Sequence, residues 1–250
     1  MAESALALRE HPQIIELLSV LEQNSLSKQK EEVQALVGYI DGMEEKLSQM
    51  MDEMKAMRLE VEKLHDKGIR ARCAQLVGTA EGKIRQGKTM LSTDRTNFVS
   101  AAGRMLGTFQ EKGRAALRHA VQALRIPSVL SRMGRGFAHA EKSMGQLAVR
   151  LDAMREELHQ AGGHIKNAGL ALTGKEPQES KELSADKGVL AKLRSFVLYC
   201  GKAFSEMDRD TALTVERING GRSSVKTELQ GLKSAQAGQR RQAASKEQAR

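Results

Sequence analysis

Val33-Gln-Ala-Leu36-Val-Gly-Tyr-Ile40-Asp-Gly-Met43-Glu-Glu-Lys-Leu47-Ser-Gln-Met50-Met-Asp-Glu-Met54-Lys-Ala-Met57-Arg-Leu-Glu-Val61-Glu-Lys-Leu64 decides the fold. Its numbered residues follow alternating steps of three and four, and all are apolar. This is a heptad, with Val33, Ile40, Leu47, Met54 and Val61 at a and Leu36, Met43, Met50, Met57 and Leu64 at d. The pattern predicts a helix over 27–64, with Ser27 placed to cap it. Such a helix is too long and too one-sided to stand alone, so it must bury its stripe. These ten residues form the expected interaction seam, a coiled coil with a second copy or a protein partner. In a parallel dimer Glu53 at g would face Arg58 at e of the other chain.

Outward from this stretch the same signal recurs. Upstream, Pro12 opens a short helix to Leu21, with Ile14, Leu17, Leu18 and Leu21 on one face. Downstream, a second run carries Leu130, Met133, Phe137, Ala140, Met144, Leu147, Leu151, Met154 and Leu158. It continues weakly to Leu172, softened at Gly162-Gly163. A third holds Leu190, Leu193, Val197, Cys200, Phe204 and Met207. Residues 67–125 are glycine-rich. Gly78 with Gly82, and Gly103 with Gly107, stand four apart, a spacing that lets helices approach. Arg114 to Arg125 reads as a helix with Leu117, Val121 and Leu124 on one face, ended by Pro127.

The chain therefore divides into a short helix plus a long heptad helix (1–66), a basic helical segment (67–126) and a second heptad helix (127–173). A linker (174–187), a third helical segment (188–233) and a disordered basic tail (234–250) follow. The fold class is all-α, with long coiled-coil-like helices in an extended or loosely bundled arrangement. Composition agrees. There are three prolines, no Trp and seven aromatics, so Leu, Ala, Val and 12 Met carry the burial. Two cysteines point to a reducing compartment. The absence of a signal-like start and of a long apolar run predicts a cytoplasmic chain without a membrane span.

Charge is unevenly placed. Residues 1–66 carry 7 basic and 14 acidic side chains, a net of −7, and residues 67–150 carry 16 and 4, a net of +12. The acidic block is expected to complement the basic one, within or between chains. The alternative partner is nucleic acid, with phosphate contacts from Arg114, Arg118, Arg125, Arg132 and Arg135. At 100° per residue, Arg114, Arg118 and Arg125 fall within about 40° of one another on a helix.

No catalytic residue, metal ligand or cofactor is expected. Gly82-Lys-Ile-Arg-Gln-Gly87-Lys88-Thr89 fits the phosphate-loop pattern letter for letter, but neither the preceding strand nor an acidic partner strand is present. His159 and His164 are five apart, off the one-turn spacing for two ligands on a helix face. Val189 to Phe204 is read as a helix packing on another helix, in preference to one lying on a membrane.

Several stretches resemble an uncharacterised family encoded on conjugative and mobile elements of gut Firmicutes. They are His11-Pro-Gln-Ile-Ile-Glu-Leu-Leu18, Tyr39-Ile-Asp-Gly-Met43, Lys112-Gly-Arg-Ala-Ala-Leu117 and Gly163-His-Ile-Lys-Asn167. The resemblance spans about residues 10–175 and implies an accessory protein of a bacterial mobile element. Together these features predict a non-enzymatic helical scaffold or interaction protein that self-associates through its seams. A nucleic-acid-binding accessory factor is the alternative.

Overall fold

In a computed structural model, residues 6–172, 176 and 188–247 are described, without the side chains of 165, 166, 169, 171 and 221–247. The elements are a 3-10 turn (Leu8–Glu10), α1 (Pro12–Gln23), α2 (Ser27–Glu62), α3 (Lys67–Ala123), α4 (Ile126–Leu172) and α5 (Val189–Glu247). No strand occurs among the described residues.

Local chemistry sets the boundaries. Pro12 opens α1 at the first turn, where its missing N–H costs nothing. The Asn24 amide donates to Val20 O at 2.8 Å, and Ser25 at φ 53° turns the chain into α2. Ser27 does not cap α2. Leu26 holds that position without a side-chain bond. Asp66 caps α3 by accepting from Ile69 N at 2.8 Å. α3 breaks at Gly113, whose φ of 74° suits a residue without Cβ. Its last turns then carry Leu117 and Val121 into the core. Pro127 lies in the first turn of α4 and so starts a helix, whereas α3 has already ended at Ala123.

Side-chain pairs fix the topology. Arg95 meets Glu44 and Arg58 meets Glu81, so α3 runs antiparallel to α2. Arg132 with Asp94 and Arg72 with Glu157 set α4 antiparallel to α3. Arg194 with Asp152 sets α5 antiparallel to α4, and Lys192–Glu60 with Lys46–Asp210 returns α5 to α2. The result is an up-down-up-down four-helix bundle, with α1 laid across one end of α2 and α3. Buried Asp41 pins the N-terminal turn there, accepting from Leu8 N at 2.6 Å.

The core is one continuous seam. At mid-bundle, Phe137 of α4 stacks on Phe204 of α5 with centroids 6.1 Å apart. A Cβ on Gly87 of α3 would touch Leu47 of α2 and Phe137 at about 3.5 Å. Two aromatics and one glycine thus let four helices meet in one layer. Close approach also occurs at Gly134 and Gly136, whose built Cβ atoms would fall 2.8 Å from Asp208 Oδ1 and 2.9 Å from Met90 Sδ. The glycine pairs singled out by spacing do not serve this. Gly78, Gly82 and Gly107 have open space, and Gly103 meets only Gln13.

α5 continues past Gly220-Gly221 to Glu247, through residues 234–247. Ala, Gln, Lys, Arg and Glu dominate that stretch, all good helix formers. The linker of 174–187 lies outside the described residues apart from Glu176. No helix among the described residues is long and apolar enough to cross a membrane.

Candidate functional site

The heptad seam is spent inside the chain. Val33, Leu36, Ile40, Met43, Leu47, Met50, Met54 and Val61 are buried, and Met57 and Leu64 are half-buried against the same core. Val37 and Tyr39 are buried too, since α2 touches neighbours on more than one side. The Tyr39 hydroxyl reaches Thr211 and donates to Met207 O at 3.2 Å across to α5. Desolvation there pushes its pKa up. Arg58 pairs with Glu81 of its own chain at 3.0 Å, not with Glu53 of another. The period correctly reports a buried stripe, but the covering helices are α1, α3, α4 and α5.

The surface that remains free is electrostatic. α3 and α4, residues 67–172, carry 18 basic and 7 acidic side chains, a net of +11. Residues 1–66 and 189–247, the rest of the bundle, carry 18 and 20, a net of −2. Ring order places these halves on opposite faces of the bundle. Arg95 is the base of the 67–150 block that reaches an acid of 1–66, at 2.7 Å from Glu44. Lys83, Lys88, Arg104, Arg118, Arg135, Lys142 and Arg150 have no ion pair with a described residue. Within the chain, the expected attraction of basic 67–150 side chains to acidic 1–66 ones is met by that one ion pair among the described residues.

The five arginines expected to contact phosphate do not form one patch. Arg114 and Arg118 are exposed on the segment after the Gly113 break, and Arg114 donates weakly to Ser25 O at 3.5 Å. Arg125 lies beyond the helix end at φ 48°, so it does not share their face. Its carbonyl instead accepts from Ser128 N and Val129 N at the start of α4. Arg132 is committed to Asp94. Arg135 is exposed, and α4 extends it into a stripe that the arginine spacing does not reveal: Arg135, His139, Lys142, Gln146 and Arg150, all exposed. These fall within about 80° of one another at 100° per residue and span roughly 22 Å. Glu141 points about 140° away from the stripe centre. The signal was available in the sequence as the complement of the second heptad.

Beside this stripe lies a cleft of about 260 Å³ between α2, α3 and α4. Its walls are Leu36, Ile40, Phe98, Ala101, Leu124 and Val129, and its polar lining is Asp94, Asn97, Arg104 and Arg132. The Asp94 side chain is 7 % exposed; its Oδ1 accepts from Arg132 and its Oδ2 has no partner. Burial raises the Asp94 pKa against the opposing pull of Arg132. Elsewhere, the stretch Gly82–Thr89 lies in mid-α3, where its backbone N–H groups are spent on helical hydrogen bonds. Cys73 and Cys200 are buried thiols.

The fold and its surface define an all-α protein whose heptad seam packs against its own helices and whose α3–α4 face is basic. Residues 10–250 match the family of unknown function DUF6674, and the chain belongs to that family. No curated protein and no solved structure matches it.

Proposed function

We propose that this chain is a non-enzymatic helical scaffold or interaction protein, with the basic outer face of α3 and α4 as its working surface. The observation that carries this reading is the charge partition, +11 on residues 67–172 against −2 on residues 1–66 and 189–247. Unpaired lysine and arginine held on rigid helices attract polyanions and are poorly matched to ordinary protein surfaces. Nucleic acid is the partner proposed, gripped through phosphates by Arg135, Lys142 and Arg150 along α4. Recognition of this kind positions without reading bases. It also suits the mobile-element setting that the resemblance implies.

The test is fluorescence anisotropy with a short labelled DNA duplex over a range of salt. Affinity should fall steeply with salt and depend little on sequence. Replacing Arg135, Lys142 and Arg150 together with Gln should flatten the log–log salt slope by about 2.7, at about 0.9 for each phosphate no longer neutralised. All three side chains are exposed and unpaired, so melting should not change. Binding that ignores salt, or ignores the triple substitution, contradicts the proposal.

A further inference from the structure

We infer that the cleft between α2, α3 and α4 is a nucleotide site, with the base between its apolar walls and the phosphate on Arg104. Three features of the cleft match three features of that ligand. Phe98, 5 % exposed, and the aliphatic side chains around it give the cleft an apolar floor against which a base can lie. Asp94 Oδ2 is a buried acceptor without a donor, a state that costs free energy until an N–H reaches it. The exocyclic amines of adenine, guanine and cytosine supply such a donor, and exposed Asn97 adds a second polar contact at the rim. Arg104 lines the same cleft and has no ion pair with a described residue, which leaves its guanidinium for a phosphate. Arg132, already tied to Asp94, fixes the carboxylate's orientation. At about 260 Å³ the cleft lies just below the ~300–1,000 Å³ of small-molecule pockets, a size for a base with its sugar and phosphate at the mouth.

The ligand has two sources, a free mononucleotide or an unpaired strand end lying on the proposed face. The inference extends that face but keeps its own readout, because Arg104 is not among the α4 residues tested there. Calorimetric titration of the full chain with GMP, AMP, CMP and UMP, and with guanosine, tests it. Saturable binding is expected, weakest for UMP, which has no exocyclic amine. Arg104→Gln should weaken the mononucleotides at least tenfold while leaving guanosine unchanged, and Asp94→Asn should weaken GMP and guanosine alike. If Asp94→Asn fails to fold, the exposed Arg104→Gln still decides the matter. Competition by GMP against a labelled duplex with a single-stranded overhang, but not against a blunt one, assigns the strand end. GMP binding without competition assigns the free nucleotide. No saturable binding below about 1 mM, or binding indifferent to Arg104→Gln, overturns the inference.

Discussion

Glycine on α4 separates packing from propensity at the level of single residues. Gly134 and Gly145 lie on the same helix, and each forfeits about 1 kcal/mol of helix propensity relative to Ala. A Cβ on Gly145 meets nothing within 4 Å, so Gly145→Ala should raise the unfolding free energy from denaturant titration by up to that amount. A Cβ on Gly134 would fall 2.8 Å from Asp208 Oδ1 and 3.1 Å from Thr211 Cγ2. Gly134→Ala should therefore lower stability by about 1–3 kcal/mol in the same measurement. Cys200 gives a second residue-level expectation. Burial, with the charge of Glu53 adding, lifts its thiol from 9.0 to about 12. The folded thiol keeps its proton after the unfolded one has lost it. Its contribution to stability is therefore complete below about pH 9 and disappears as the pH rises from about 9 to about 12. Iodoacetamide at about pH 8 should leave native Cys200 unmodified and alkylate it only on unfolding. The sequence identified Cys200 as a stripe residue, but Gly134 gave no sign, because a contact across α4 and α5 depends on a register that no local spacing encodes.

Among the elements, α2 was the most legible and its partner the least. Ten apolar residues in ten seam positions specify a buried stripe, yet the same period describes a dimeric coiled coil and an intramolecular bundle. Loops decide between them. Asn24–Leu26 and Lys63–Asp66 are short enough to fold α1 and α3 directly back on α2. Leu47→Ala should consequently cost about 2–5 kcal/mol of unfolding free energy, without any change in assembly. α3 shows where the sequence was silent. Its break falls at Gly113, not at the paired glycines, because only there must the chain adopt a positive φ. Gly113→Ala should cost about 1–3 kcal/mol, because φ 74° with ψ −167° is a backbone conformation that essentially only glycine adopts. Circular dichroism melts of the two variants check both figures.

For the whole molecule, the opposing charge blocks were plain in the sequence and their arrangement was not. Attraction between −7 and +12 favoured contact between the blocks. The up-down-up-down order instead puts α3 and α4 on one side and α2 and α5 on the other, with Arg95–Glu44 and Arg58–Glu81 bridging α2 to α3 and Arg194–Asp152 bridging α4 to α5. Burying the apolar stripes sets that order, since a buried Leu contributes about 1.5–3 kcal/mol and an exposed ion pair about 0–1. The surface charge is left as the packing places it, and a basic face results. Everything proposed for that face depends on the seams being satisfied within one chain. The mass of the 250-residue chain by light scattering at physiological salt tests this directly. A single species near 27.4 kDa, unchanged on dilution, is the expected result. A species of twice that mass, dissociating only as α2 unfolds, would contradict it.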